Sequence, residues 1–196
     1  MTTAWPVRLR HEDLILRPLR LRDYRAWRLV RSRNQDWLRR WEATSPYPEL
    51  EQAPSFSQST RSQLRGAKAG QGLPFVLIYQ GEFVGQINVS SISQGSLWSC
   101  HIGYWIDERV ANRGLMTTAV ALVSHYLFTE RSIHRIEIAI RPENAPSNRL
   151  VQKLGFQLEG IRKSFIHIDG AWRDHNVYVM FQDEISDALL RQINLI

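Results

Sequence analysis

"VANRGLMTTAVALVSHYLF", Val110–Phe128, sets an Asn-Arg-Gly turn directly before a long run of helix-forming, mostly apolar residues. The pattern predicts a helix from Leu115 to Glu130. A glycine turn at a helix start presents successive backbone N–H groups outward, with the helix dipole behind them. Such a site suits an anion, and a pyrophosphate in particular. A Cβ at Gly114 would block the approach of phosphate oxygens, while Arg113 adds a fixed charge and Thr117 a hydroxyl. No P-loop lysine follows, and no G-x-G-x-x-G surrounds the turn. Taken alone, the glycine fits an ordinary loop-to-helix junction equally well.

The flanking segments set that turn in a sheet. Upstream, "LWSCHIGYWI" reads as a strand from Leu97 to Ile106, and "LPFVLIYQGEFVGQINVSSI" as two strands joined at Gln80-Gly81. A first strand is predicted over Asp13–Pro18, a helix capped by Asp23 runs to about Ser32, and another spans about Ser57–Ala69. Downstream, "HRIEIAIRPEN" is a strand, "APSNRLVQKLGF" a short helix closed by Gly155, and two long strands hinge at Asp169-Gly170. Ile185, Leu189 and Ile193 stand at helical spacing in the tail. This order predicts an α/β (α+β) domain: a mixed, mostly antiparallel sheet flanked by helices, as one domain over residues 1–196.

Composition narrows the class. An apolar fraction of 43%, with seven Trp, seven Phe and six Tyr, argues for a packed globule rather than disorder. No apolar run is long enough to span a membrane, and "MTTAWPVRLRHEDL" lacks a signal-peptide core. Cys100 alone excludes an intramolecular disulfide, and the six His show no metal-ligand spacing. A reduced, cytoplasmic protein without a metal is expected. The net charge of +6 is uneven, with eleven Arg in residues 1–40 against Glu12, Asp13, Asp23 and Asp36. An anionic partner (RNA, a phosphorylated cofactor or an acidic protein face) explains this, as does a solvated helix face braced by its own carboxylates.

Strand "HIGYWI", loop "DERVANRG" and helix "LMTTAVALV" together resemble the acyl-CoA-binding core of the GNAT N-acetyltransferase superfamily. The family fingerprint Q/R-x-x-G-x-G/A falls on Ala111, Asn112, Arg113, Gly114, Leu115 and Met116, with Ala111 and Met116 departing from it. "RPENAPSNRLVQKLGF" carries a second, more specific signature in Asn144, Ser147 and the Lys-Leu-Gly-Phe of 153–156. "GSLWSCHIGYWI", "IHRIEI" and "IDGAWRDH" look like the branch that acetylates ribosomal-protein alanines, the RimJ type, and the likeness runs from about Leu14 to Met180.

The resemblance implies acetyl-CoA as donor and direct attack of an amine on its thioester. It further implies two neighbouring strands splayed apart, here Ile102–Ile106 and Arg135–Arg141, with backbone near Trp105 and Ile106 binding pantetheine. The phosphates would lie on residues 111–117, and Asn144 would complete the cofactor site. Many relatives protonate the leaving thiolate with a tyrosine after the Asn, where this chain has Val151; Ser147 matches the serine of the ribosomal-protein branch. Ser147 has a helix-capping role as its alternative. Relatives' general base falls at Ala139, so Glu137 is the candidate base, with Glu159, His134 and His101 behind it, and an arginine-paired strand carboxylate as Glu137's alternative role. Trp27, Trp37, Trp41 and Trp172 are candidates for the acceptor mouth, and Asp174 for holding a cationic terminus.

A protein α-amine, with a pKa of about 7.7 to 8.0, is roughly one-tenth neutral at pH 7, whereas lysine at about 10.4 is almost wholly protonated. Weak base signals therefore favour N-terminal acetylation, plausibly of a ribosomal-protein alanine. The competing readings are acetylation of a small amine (polyamine, amino acid or antibiotic) and a non-catalytic ribosome- or RNA-associated protein of the same fold. RNA contact would run through the basic N-terminal third, and either a monomer or a homodimer is compatible.

Overall fold

The structure is a computed structural model that describes residues 5–50 and 52–196. Eight strands form one sheet: β1 (Leu9–His11), β2 (Leu14–Pro18), β3 (Leu73–Tyr79), β4 (Glu82–Ser93), β5 (Ser99–Ile106), β6 (Arg135–Ile140), β7 (Gln157–Ile168) and β8 (Ala171–Phe181). Their order is β1-β2-β3-β4-β5-β6-β8-β7. All neighbours run antiparallel except β5 and β6, which are parallel and joined by the crossover helix α4 (Leu115–Glu130). The predicted mixed, mostly antiparallel sheet with flanking helices is what forms.

Both predicted hairpins close where glycine allows them. Gln80 and Gly81 have φ of 50° and 86°, and Asp169 and Gly170 have 47° and 78°. Paired positive φ values are what the tightest hairpin turns demand. β1 was not foreseen: three residues carry no periodicity of their own, and only pairing with β2 makes them a strand.

Alternation along β3 divides the interior. Leu73, Phe75 and Leu77 face a large core shared with α4, whereas Val76 and Ile78 face a smaller cluster with Leu19, Val30, Trp27 and Phe56. The second cluster lies under α1 (Tyr24–Arg33) and α3 (Phe56–Lys68). α4 is buried over most of its circumference because the sheet lies on one side and α5 (Ala145–Lys153) and α6 (Asp187–Gln192) on the other. Asp23 stands at the N-cap of α1 as expected, but its side chain makes no capping bond. Its carboxylate instead takes two bonds from Arg17 and one from the Arg20 backbone N–H, all 2.8 Å, closing the 3-10 turn Leu21–Asp23 ahead of the helix. No helix among the described residues is long and apolar enough to cross a membrane.

Candidate active site

The parallel pairing of β5 with β6 ends early. Ser99, Cys100 and His101 pair with Arg135, Ile136 and Glu137, after which β5 continues to Ile106 and β6 to Ile140 without pairing each other. That divergence leaves one edge of β5 open in mid-sheet. A cleft of about 930 Å³ occupies the gap, bounded by the α4 entry turn and α5 and by Trp37, Trp41 and Glu42 from the segment around α2 (Gln35–Arg39).

Gly114 is the N-cap of α4, with φ +78° and no side-chain cap on the helix start. A Cβ there would meet nothing within 4 Å, so the space in front of the turn is open. The first N–H groups of a 16-residue helix therefore face the cleft uncapped, a donor set that fits a pyrophosphate. Met116, outside the fingerprint, is buried against the core and also forms part of the cleft wall. Trp105, Ile106, Ala111, Asn112, Leu115, Met116, Thr117 and Asn144 line the cleft with Gly114. Arg113 is not among the lining residues. Arg149 and Lys153, one turn apart on α5, supply the positive charge instead. Their i,i+4 spacing beside Ser147 was the available sequence signal.

The entry turn is anchored from the opposite side of the sheet. Asn34, between α1 and α2, donates to the Asp107 carboxylate (2.8 Å) and accepts from the Glu108 backbone N–H (2.9 Å), and Arg33 pairs with the same carboxylate. Burial raises the Asp107 carboxyl, but the bonds from Arg33, Asn34 and the Arg109 backbone outweigh it, so its pKa is lowered.

Two polar atoms in the cleft wall are buried without a hydrogen-bond partner, Asn88 Oδ1 and Tyr104 Oη. An unpaired buried polar group costs about 1–3 kcal/mol, so both atoms are available to a polar group that enters the cleft. The Ser147 hydroxyl is the polar neighbour within electrostatic reach of Tyr104, without completing a bond of good geometry. Burial pushes the Tyr104 phenol upward, so it stays protonated and can donate a hydrogen bond. Ser147 does not cap α5. Asn144 does, its Oδ1 accepting the Ser147 backbone N–H at 3.3 Å. The start of α5 is fixed by Asn148, which donates to the carbonyls of Arg141 (3.0 Å) and Asn144 (2.8 Å) and accepts from Tyr178 (2.9 Å). The orphaned Tyr104 hydroxyl had no sequence signal, because only packing shows that it lacks a partner.

Glu137 does not fit the base role. It is buried away from the cleft lining, with both oxygens taken by Arg162 (2.6 and 2.9 Å) and a further bond from Arg135 (3.1 Å). Glu159 is bound by Arg135 through both oxygens at 2.7 Å, which lowers its pKa. His134 packs on Phe181, and His101 approaches Glu137 rather than the cleft. Two of the three carboxylates that line the cleft are also committed: Glu42 pairs with Arg31, and Glu143, lowered first by its own backbone N–H, bonds Arg141; the third, Glu108, lies exposed in the turn before α4.

On the acceptor side, Trp41 lies under the guanidinium groups of Arg40 (5.9 Å) and Arg141 (5.5 Å). The segment after it is strapped to the β7–β8 hairpin by an Ala43–Ile168 bridge and a Thr44 N–H bond to the His167 carbonyl (2.9 Å). Trp27 shares Gln86 Oε1 with Trp105 and packs on Phe56, so it braces the wall without lining it. Trp172 stands out at the hairpin. Asp174 holds Lys163 (2.7 Å) and the Ser164 N–H (2.9 Å), a hairpin brace rather than an acceptor contact.

Comparison with known proteins agrees with this geometry. A family model described as "Acetyltransferase (GNAT) domain" matches residues 13–157. The chain is 34% identical to the [ribosomal protein uS5]-alanine N-acetyltransferase of Escherichia coli K12 over 174 residues, 86% of this chain and 88% of that protein. It is 38% identical to the probable N-acetyltransferase YjcK of Bacillus subtilis over 101 residues, spanning 56% of that relative. Among solved structures, Mycobacterium smegmatis RimJ in complex with CoA-disulfide superposes with a TM-score of 0.88 at 33% identity, over 99% of this chain and 96% of that one. The chain therefore belongs to the GNAT acetyltransferase family and is an enzyme of the N-acetyltransferase class.

Proposed function

We propose that this protein moves the acetyl group of acetyl-CoA to the N-terminal α-amine of a protein, with an alanine of a ribosomal protein, as named for its 34% identical Escherichia coli relative, as the acceptor. The observation that carries the reading is the cleft through the β5–β6 gap, which lets a donor and an acceptor reach one point from two sides. Bound acetyl-CoA supplies an activated thioester. The chain's part is orientation and proton handling. The uncapped N-terminus of α4 holds the pyrophosphate at Gly114, with Arg149 and Lys153 adding charge. Open backbone at Trp105 and Ile106 holds the pantetheine arm and fixes the carbonyl. As the new C–N bond forms and the C–S bond breaks, the charge left on sulfur needs a hydrogen bond and then a proton, and the Ser147 and Tyr104 hydroxyls in the cleft wall are the donors placed to supply them.

Glu42 and Glu143 are tied up by arginines and Glu108 lies exposed in the turn before α4, so the proton lost by the amine passes to water. That suits an α-amine, which is partly neutral near pH 7, and disfavours lysine. The test is thiol release from acetyl-CoA with peptides beginning Ala, Ser, Thr or Met. Turnover is expected with free N-termini and greatest for Ala. Turnover confined to small amines such as spermidine, or none with any peptide, would overturn the reading.

A further inference from the structure

α1 and α3 lie side by side over the same face of the sheet, joined where Phe56 packs on Tyr24 (5.4 Å) and Trp27 (5.0 Å). Neither helix contains an Asp or Glu. α1 reads YRAWRLVRSR and α3 reads FSQSTRSQLRGAK. The cations divide by direction. Arg31 and Arg33 turn inward to Glu42 and Asp107. Arg25, Arg28, Arg61, Arg65 and Lys68 are exposed, and none has a carboxylate partner among the described residues. Arg22 is exposed beside them in the preceding turn. A solvated helix face is normally interspersed with both signs or braced by i,i+4 pairs. This one has neither, so the bracing explanation for the basic N-terminal third fails here.

We infer that the outer face of α1 and α3 is a docking surface for the phosphate backbone of RNA. Arginine outnumbers lysine four to one among the five unpaired cations, and its planar fork matches phosphate oxygens and stacks on bases. Tyr24, 43% exposed among these arginines, offers a ring for an unpaired base. By the helix rise, α1 and α3 extend about 15 and 20 Å, enough to follow several phosphates. The chain leaves α1 directly into α2 and the Trp37–Trp41 wall of the cleft. RNA held here would bring a protein N-terminus carried on the same ribonucleoprotein to the acceptor mouth. That use rests on the function proposed above; RNA binding itself does not.

Fluorescence anisotropy with a labelled RNA hairpin, across 50–200 mM salt, tests the binding on the full chain. With five phosphate contacts, log K should fall against log salt with a slope of about −3 to −5. The R25Q/R28Q/R61Q/R65Q variant should lose about three units of that slope and bind about 30-fold or more weakly at 100 mM salt. Its kcat/KM on a free Ala-start peptide should match the parent, since none of the four lines the cleft. Coupling that peptide to the hairpin should lower KM about tenfold for the parent and not for the variant. Unchanged RNA affinity in the variant, or equal binding of a polyglutamate chain of the same charge, would overturn the assignment; the second result would point to an acidic protein. RNA binding in a protein that acetylates no peptide would sink the acceptor reading and leave this one standing.

Discussion

At Gly114 two requirements meet: a left-handed backbone and empty space where a side chain would stand. Gly114→Ala adds the conformational strain, roughly 1 kcal/mol, and a methyl group at the phosphate position. Gly114→Glu adds a carboxylate facing the pyrophosphate, so acetyl-CoA affinity by calorimetry should fall far more than for Ala, at a similar melting temperature. Tyr104→Phe deletes an unpartnered buried hydroxyl, so stability should hold or rise while kcat falls. Ser147→Ala should lower kcat by about 10² with little change in acetyl-CoA affinity, and its melting temperature should hold because Asn144 is the cap. Asn144→Ala, by contrast, should cost about 1 kcal/mol. If Ser147 and Tyr104 act as one relay, the double variant will be no slower than the slower single one; full activity in both single variants would end the relay. Gly114, Asn144 and Ser147 were legible because each belongs to a short local motif. Tyr104 and Asn88 were not, since lacking a partner is a property of packing. For Glu137 the alternative read from the sequence, an arginine-paired strand carboxylate, is what forms, and its main partner Arg162 reaches it from two strands away.

Among the elements, the junction of α1 and α2 has the least obvious task. Through Asn34 and Arg33 it holds Asp107, and so the turn that enters α4. Asn34→Ala should therefore raise the Kd for acetyl-CoA several-fold with kcat nearly unchanged, although Asn34 does not itself line the cleft and acts through Glu108 and Asp107. Because the Asp107 carboxyl is lowered on folding, its stabilising share is present above the unfolded value of about 3.9 and is lost as pH falls through the folded one. An Asp107→Asn variant should be less stable at pH 7 and lose less than the parent between pH 4 and pH 2 in urea melts. The two hairpins and α4 could be read from turn residues and apolar runs. β1 and the end of β5–β6 pairing could not, because both are set by partners distant in sequence; the splay was expected only from the family resemblance.

For the molecule as a whole, the sheet separates two chemical faces. α4 and α5 set an uncapped helix start, Arg149, Lys153 and Ser147 against the cleft, and the α1–α3 side carries aromatic side chains and unpaired arginines. Rate on an Ala-start peptide should rise with pH through about 7 to 8 as the acceptor amine loses its proton. A flat profile would mean that a step other than amine attack is limiting. The gap between β5 and β6 was implied by the family resemblance, which also left Glu137 as the candidate base; Glu137 is held by Arg162 and Arg135, and Glu42 and Glu143 in the cleft wall are likewise held by arginine. The most direct test of the account offers both kinds of amine on one molecule. A peptide beginning with Ala and containing an internal Lys is incubated with acetyl-CoA at pH 7, and tandem mass spectrometry locates the acetyl group. The account predicts acetylation of the α-amine with the lysine untouched. Acetyl on the lysine with the terminus free would contradict it.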